Sequence, residues 1–294
     1  MKLNGTRKNR QLKTKTKKIK PLALRSWISI KNIDWNNMSM NPNATTLLES
    51  HKSKINWLNL TLNPTSVKLL EENKNKIQRW DIVSENPGAI KLLEANQTKI
   101  HWGALSRNPA AAHLLKANLD NIDWDYLTHN HSMAAMELLE ENPSKIIYNF
   151  HLSRNPFAIK LLAKAKQDQL FWDQLSANPA AMSLIEANRN NINWSMLSKN
   201  PNAMHLLRAN QKRIDWSMLS QNPNAIKLLA ANLSKIDWSY LSMNPNAIKL
   251  LEANQKQIDW ISLSTNPNAM HLLKANQKKI HWPSISSNPS IFKS

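Results

Sequence analysis

The chain has 294 residues, of which 41% are hydrophobic, a formal net charge of +19 and no cysteine. The missing cysteine excludes disulfide bonds and thiolate metal sites and favours a reducing compartment. No apolar run approaches the roughly 20 residues that a membrane-spanning helix needs. We therefore expect an intracellular protein that is neither secreted nor membrane-bound.

Residues 1–20 differ from the rest of the chain, because they contain nine basic side chains and no acidic one. Such a block repels itself and is typical of a disordered interaction tail or a nuclear-import signal. The apolar stretch that follows is too short for a secretory signal and is interrupted by Arg25. We predict a disordered tail with the charge to bind a polyanion, and its basic residues are Lys2, Arg7, Lys8, Arg10, Lys13, Lys15, Lys17, Lys18 and Lys20.

Residues 21–34 are predicted to form an N-terminal cap on a repeat array that occupies residues 35–294. The stretch 222–238 returns 22 residues later as 244–260, with only a few substitutions. Self-similarity at such a short period is typical of a solenoid, in which each unit buries its apolar face against its neighbours. About twelve units are present, and Trp marks position 1 of all but one, at residues 35, 57, 80, 102, 124, 172, 194, 216, 238, 260 and 282.

Each unit predicts two helices. Position 7 is Asn in all twelve units, and Pro follows it in all but one. Asn is a good N-cap and Pro suits the first helical position, so a helix should begin there and bury Leu side chains at i, i+3, i+4 spacing. The segment Ile-Asp-Trp-x-x-Leu-Ser predicts a shorter helix that begins near Trp. Since nothing alternates with period two, we predict an all-α solenoid of about twelve 22-residue, two-helix repeats.

The Asn at position 17 allows two interpretations. It stands where the second helix should stop, and Asn tolerates the left-handed conformation that helix ends commonly adopt. Alternatively, regularly spaced Asn side chains hold the backbone of an extended peptide in armadillo-type solenoids. The side chains that would form such a partner-binding ladder are Asn210, Asn232, Asn254 and Asn276.

The pattern is irregular near residues 128–149. The fifth unit has His131 in place of Pro, and 25 residues separate Trp124 from Asn149, which replaces the sixth Trp. We expect a kink or a change of superhelical pitch there between two straighter arms. At the other end of the chain, Ile291 and Phe292 are predicted to belong to a truncated last helix that closes the core.

The unit at residues 222–238, its copies and the closing segment 288–292 resemble an uncharacterised family of repeat proteins of giant double-stranded DNA viruses. The resemblance covers about 260 residues and departs from the pattern at His131, Asn149 and Ala165. It implies a viral origin, a location in the cytoplasm or nucleus of a host cell or in a virion, and no known activity, and it supplies no catalytic residues. A weaker likeness is to leucine-rich variant repeats, which lack the Trp.

Other repeated side chains are expected to be structural. The Trp residues should be buried rather than stacked on nucleobases, and Ser or Thr at position 5 should bond the adjacent corner. His129, His131 and His151 lack the carboxylate or thiolate partners of a metal site.

A basic ridge at position 12 should be neutralised by acidic side chains at position 15 in pairs such as Lys68–Glu71. This ridge comprises Lys68, Lys91, His113, Lys160, His205, Lys227, Lys249 and His271.

No catalytic constellation, phosphate loop or cofactor motif is present, so no cofactor or metal is expected. The sequence predicts a monomeric, non-enzymatic scaffold that mediates protein–protein interaction. The alternative is a nucleic-acid-associated protein that is anchored by residues 1–20.

Overall fold

The computed structural model describes residues 22–293 and confirms the all-α repeat architecture. Each repeat has a first helix that begins at position 1, a tight Asn-Pro corner, a second helix and a 3-10 turn. Two short strands complete the described part, Ala23–Leu24 and Phe292–Lys293. The tail predicted for residues 1–20 lies outside the described residues. None of the helices within residues 22–293 has the length and apolarity to cross a membrane.

The first helices are short and begin at N-caps. In ten repeats the side chain before the helix accepts from a backbone N–H of the first turn, as Asp215 does from Met218 at 3.0 Å. The twelve first helices are Trp35–Met40, Trp57–Leu60, Trp80–Glu85, Trp102–Ser106, Trp124–Leu127, Phe150–Arg154, Trp172–Ala177, Trp194–Ser198, Trp216–Ser220, Trp238–Met243, Trp260–Thr265 and Trp282–Ser287.

The second helices follow the Asn-Pro corners, several of which form a 3-10 turn before the helix. Within residues 22–293 the second helices are Thr45–Ser50, Val67–Glu72, Ile90–Glu94, Ala112–Lys116, Met133–Glu141, Ile159–Leu162, Met182–Ala187, Met204–Ala209, Ile226–Ala230, Ile248–Ala253 and Met270–Ala275. The corner turns are Pro87–Ala89, Pro156–Ala158, Pro179–Ala181, Pro201–Ala203 and Pro289–Ile291.

A further 3-10 turn leads into each new first helix. We call these twelve segments the outer turns. They are Ile30–Asn32, Lys52–Lys54, Lys74–Lys76, Gln97–Lys99, Leu119–Asn121, Pro143–Lys145, Gln167–Gln169, Arg189–Asn191, Gln211–Arg213, Leu233–Lys235, Gln255–Gln257 and Gln277–Lys279.

The array closes on itself. The first helix of repeat 1, Trp35–Met40, packs directly against the first helix of repeat 12, Trp282–Ser287. The backbone N–H of Asp34 donates to Ser286 Oγ at 3.0 Å, as the N–H of Asn56 donates to Ser39 Oγ between repeats 1 and 2. The twelve repeats therefore form a ring rather than an open solenoid.

The last repeat is assembled from both ends of the chain. Ala23 and Leu24 pair antiparallel with Lys293 and Phe292, and Arg25 donates from its backbone N–H to Ile291 O at 2.9 Å. The turn Ile30–Asn32 then occupies the place of the outer turn. The segment predicted as an N-terminal cap thus completes the second half of repeat 12, and we call this junction the seam.

Two concentric layers make up the ring. Neighbouring first helices pack closely in most repeats, whereas among the second helices within residues 22–293 only Ala112–Lys116 and Met133–Glu141 approach each other closely. Because the spacing between repeats increases with distance from the ring axis, the first helices form the inner layer. Twelve helices about 8–10 Å apart give a ring about 30–38 Å across its inner helix axes and an opening of roughly 20–25 Å.

A closed circuit of asparagine side chains joins the repeats at position 7. The buried Nδ2 of Asn222 donates to Ser198 O at 3.0 Å and Asn200 O at 2.9 Å in the preceding repeat, and its Oδ1 accepts from Asn224 N. All twelve position-7 residues donate in this way, including Asn41, which donates to Ser286 O and Asn288 O across the seam.

The irregular repeats widen the ring locally. Consecutive first helices pack less closely between repeats 2 and 3 and between repeats 5 and 6, which are the places where the sequence contains extra residues. In repeat 5 the second helix lengthens to nine residues, Met133–Glu141. In repeat 6 Asn149 is itself the N-cap and accepts from Leu152 N at 2.8 Å, so the helix begins one residue late. Packing continues around the whole ring, so the predicted kink between two arms is absent from residues 22–293.

Candidate functional site

The Asn residues at position 17 close their own helices. The Nδ2 atoms of Asn210, Asn232, Asn254 and Asn276 donate to the carbonyl four residues earlier at 2.8, 2.9, 2.8 and 3.0 Å. The left-handed conformation predicted for them is wrong, since no residue within 22–293 has a positive φ and Asn210 has φ −130°. The side-chain amide donates to the carbonyl at the helix end in place of a backbone N–H, and the backbone keeps a negative φ. The amide N–H group is therefore already bonded and does not face a partner.

The repeated Trp side chains are half-buried, so the predicted burial is only partial. They pack against the core with one side. Cationic side chains of the outer turns cover three of them, with Lys235 Nζ 4.4 Å from the ring centroid of Trp216 and Arg213 and Lys279 placed similarly over Trp194 and Trp260. Such cation–π contacts occupy the face on which a base would stack.

On the outer layer, most charge pairs join neighbouring repeats, and Lys68–Glu72 is a pair within one helix. The predicted Lys68–Glu71 type of pair is absent from the ion pairs of residues 22–293, where Lys68 approaches Glu72 at 3.9 Å instead. His205 Nε2 lies 2.7 Å from Glu186 of the previous repeat. The pairs His113–Glu94, His271–Glu252 and Lys160–Glu140 are equivalent. These exposed pairs contribute little stability, but they compensate the charge of the ridge.

The inner wall of the ring is formed by positions 2, 3 and 6 of the first helices. Positions 4 and 5 of these helices are buried, and position 5 holds the Ser or Thr whose hydroxyl bonds its own helix and the next repeat. In contrast to the invariant buried positions, the inner wall changes from repeat to repeat. Its charged side chains all belong to repeats 3–8, and they are Asp81, Glu85, Arg107, Asp125, Arg154, Asp173 and Lys199.

A cluster of basic and aromatic side chains lies on this wall at repeats 4–6. The imidazole rings of His129 and His151 stack with their centroids 3.3 Å apart. Arg107 Nε donates to His129 Nδ1 at 3.4 Å, and its guanidinium lies 4.8 Å from the ring centroid of Tyr126. Arg107, His129 and His151, with Glu85, His131 and Arg154, line a cavity of about 250 Å³, which we call the histidine cavity.

The histidine cavity disfavours additional positive charge. Burial, followed by the charges of His151 and Arg107, lowers the pKa of His129 to about 4, although Asp125 opposes the shift. Burial is also the largest cause of the lowered pKa of His151. Two repeats further on, burial and the charge of Arg154 lower the pKa of Lys199. At neutral pH both stacked imidazoles are therefore neutral.

The opposite side of the inner wall is apolar. Ile261 is 58% exposed, Leu62 52%, Leu58 45% and Met243 40%. These four side chains belong to repeats 10, 11 and 2, so they flank the seam. In a ring of twelve, repeats 11 and 12 lie across the opening from repeats 5 and 6. The inner wall therefore carries all its charged side chains on one side, together with the exposed Phe150, whereas the other side is uncharged and holds these four exposed apolar side chains.

The outer turns form a basic belt along one edge of the ring. Within residues 22–293 they are exposed and contain only Asp120 and Asp168 as acidic residues. Their basic residues are Lys31, Lys52, Lys54, Lys74, Lys76, Lys99, Lys145, Arg189, Lys212, Arg213, Lys235, Lys256, Lys278 and Lys279. Sequence analysis missed this belt, although the Lys at position 20 recurs in many units.

Of the three histidines considered as metal ligands in the sequence, two are in contact. His129 and His151 stack face to face, an arrangement in which their ring nitrogens do not converge on one point. Within residues 22–293 no three His, Asp or Glu side chains are arranged to hold a metal ion. Arg107 and Arg154 were not singled out from the sequence, because their proximity depends on the ring packing of consecutive first helices.

Comparisons of the chain with protein-family models, with curated proteins and with solved structures found no match. The resemblance to giant-virus repeat proteins and the viral origin that it implies stay predictions. Function must therefore be inferred from the surfaces of the ring.

Proposed function

We propose that this protein is a non-enzymatic ring scaffold that binds a protein partner on its inner wall. The observation that carries the proposal is the exposure of four large apolar side chains there, Leu58, Leu62, Met243 and Ile261. Exposed apolar groups that recur on one side of a concave surface are typical of a protein-binding site.

The distribution of structural roles supports this proposal. The buried Asn, Ser and Leu positions are repeated around the ring and hold it together, whereas the inner wall varies in size, charge and polarity. An opening of roughly 20–25 Å admits a helix or an extended segment, since a helix with its side chains is about 10–12 Å wide. The partner segment should present apolar side chains to repeats 10–2 and acidic or hydrogen-bonding groups to repeats 4–6.

Peptide selection on the immobilised ring tests the proposal even though the natural partner is unidentified. A random-peptide phage library should yield binders with apolar and acidic residues. Their affinity should fall at least tenfold for a Leu62→Asp/Ile261→Asp variant, because charged groups would replace the apolar contacts. Leu233→Asp is the matched control, since Leu233 is 44% exposed on an outer turn.

The result that would overturn inner-wall binding is the reverse pattern. Peptides that bind the Leu62→Asp/Ile261→Asp variant as tightly as the unmodified ring, but lose affinity for the Leu233→Asp variant, would place the interaction on the outer turns. Circular dichroism of each variant should match the unmodified protein, because all three side chains project from the surface.

The basic belt favours a second candidate function, association with nucleic acid, to which residues 1–20 would add nine further charges. The inner wall does not favour a nucleic acid within the ring, because its three Lys or Arg residues face four acidic residues.

Binding of nucleic acid to the belt should weaken steeply with salt, as counterion release requires. Deletion of residues 2–20 and neutralisation of Lys212, Arg213 and Lys235 would separate the tail from the belt. Affinity that survives both changes and high salt would exclude this candidate.

A further inference from the structure

The histidine cavity lies where the repeat departs most from its own pattern. Repeat 5 has His131 instead of the Pro that follows Asn elsewhere, and repeat 6 has Asn149 instead of Trp. Extra residues are also inserted between these two repeats, and the first helix of repeat 6 begins one residue late. Local departures of this kind, in an otherwise regular chain, are expected at functional sites.

Positive charge in the cavity is only partly compensated. The Arg107 Nη1 atom donates to Glu85 Oε2 at 3.4 Å, so one guanidinium has a carboxylate partner. Arg154 has no carboxylate within 4 Å among the ion pairs of residues 22–293. The carboxylate of Asp125, which acts on both imidazoles, already accepts from Asn149 Nδ2 at 2.6 Å. The cavity therefore combines two guanidinium groups and two imidazoles around an open space of about 250 Å³.

We propose that the histidine cavity binds a tetrahedral oxyanion, a phosphate or sulfate group, between Arg107, His151 and Arg154. Guanidinium groups offer paired N–H donors whose geometry matches phosphate oxygens. The volume exceeds the roughly 30 Å³ of a water molecule severalfold, which leaves room for such an ion. The proposal goes beyond the scaffold function, because a free ion can occupy the cavity whether or not a protein enters the ring.

A bound dianion would reverse the electrostatic balance of the cavity. The groups that face the two imidazoles are Arg107, Arg154, His131, Asp125 and Glu85. Burial favours neutral imidazoles in the empty cavity, where two guanidinium groups face two carboxylates, whereas a dianion favours their protonated forms. Binding should therefore be accompanied by proton uptake.

Sulfate is the probe of choice because it stays a dianion across the pH range in which the imidazoles titrate. Titration of the full chain with sulfate, followed by NMR of the histidine ring nitrogens, should raise the pKa values of His129 and His151. Calorimetry should show that sulfate binds about tenfold more tightly at pH 5.5 than at pH 7.5, because a protonated imidazole adds a positive charge beside the dianion. Sulfate titrations that leave the signals of both histidines unshifted would overturn the proposal.

Two variants and two controls localise the site. Arg154→Gln and His151→Gln should each weaken sulfate binding at least tenfold, whereas Arg208→Gln and His205→Gln, on the outer layer, should leave it unchanged. All four side chains are exposed, so the fold should persist. Sulfate binding by Arg154→Gln at full strength would assign the ion elsewhere. Acetate that bound as tightly as sulfate would contradict the tetrahedral oxyanion.

Two further ligands distinguish the source of the oxyanion. Inorganic phosphate and a short phosphoserine peptide should both compete with sulfate if the site is correct. Tighter binding of the peptide would indicate a phosphorylated partner protein, and equal affinity would indicate a free ion. Failure of both to compete would overturn the site, while leaving the apolar side of the inner wall and the selected peptides unaffected.

Discussion

At the scale of single residues, one residue type performs two tasks in each repeat. Asn at position 7 caps the corner turn before the second helix through Oδ1 and joins the preceding repeat through Nδ2, whereas the Nδ2 of Asn at position 17 bonds its own helix. The sequence predicts the capping role of both Asn positions, because capping depends on neighbours in the chain. It does not predict the bonds between repeats, since these depend on how far apart the repeats stack.

The two Asn positions should therefore differ in their effect on stability. Asn222→Ala leaves buried carbonyls without donors and removes a cap, so it should lower the free energy of unfolding by about 3 kcal/mol. Asn232→Ala removes one half-exposed bond and should lower it by about 1 kcal/mol. Urea denaturation of the two variants measures the difference. Equal losses would mean that the circuit of position-7 amides contributes nothing beyond capping.

The lowered pKa of His129, about 4, makes stability depend on pH. The unfolded chain binds a proton near pH 6.5 and the folded protein only near pH 4, so protons favour the unfolded state between these values. Stability should therefore fall as the pH decreases from about 6.5 to 4.

His129→Gln removes this titration, so its urea midpoint should decrease less between pH 7 and pH 5 than that of the unmodified protein. His205→Gln, which leaves the histidine cavity intact, serves as the control. An identical pH profile for His129→Gln and the unmodified protein would show that the cavity does not discriminate against the charged imidazole.

At the scale of helices and strands, the sequence predicts where each repeat starts but not how its ends meet. Asn-Pro and Asp-Trp mark helix starts because caps act within one turn. The pairing of Ala23–Leu24 with Phe292–Lys293 joins residues about 270 positions apart, and two strands of two residues have no periodicity to detect. Each terminal segment looks like half of a repeat only when the other half is placed beside it.

A disulfide across the seam tests this pairing. Ala23 and Lys293 are directly opposite in the antiparallel pair, where Cα atoms are about 4.5–5.5 Å apart, within the range that a disulfide spans. The variant Ala23→Cys/Lys293→Cys should form an intramolecular disulfide under mild oxidation, with a faster non-reducing gel band and a higher melting temperature.

The chain has no other cysteine, so each single-cysteine variant is a clean control that cannot form this bond. Exclusive formation of disulfide-linked dimers by the double variant would indicate that the two ends do not meet within one molecule.

At the scale of the whole molecule, closure depends on the sum of twelve small rotations. A flat ring of twelve needs about 30° per repeat, and an error of about 3° per repeat would shift the last one by more than a full repeat. No local pattern in the sequence fixes an angle to that accuracy. The number of repeats is predictable from the Trp and Asn spacings, whereas the ring itself follows from packing that only the structure shows.

Removal of the seam should open the ring without unfolding the repeats. Deletion of residues 22–33 removes one strand, the buried Ile28 and Ile33, and the bond from Arg25 to Ser290. Because each remaining repeat still contacts its neighbours, helix content should persist while the radius of gyration and maximum dimension increase in small-angle X-ray scattering. Deletion of residues 2–20 instead is the control, since it retains every seam residue. Unchanged dimensions after deletion of residues 22–33 would show that the inner layer alone holds the ring closed.

The divided last repeat has a consequence for the order in which the molecule is made. The ribosome synthesises the second half of repeat 12, near the start of the chain, before the other repeats, and the first half of repeat 12 after them. Every intermediate of synthesis is therefore an open arc in which repeat 12 is incomplete. The residues from Trp282 to Lys293 are synthesised after the other repeats and close the ring against repeat 1 and the strand Ala23–Leu24. A chain that already lay across the open arc at that stage would be enclosed when the two strands pair, and it would then be retained by topology.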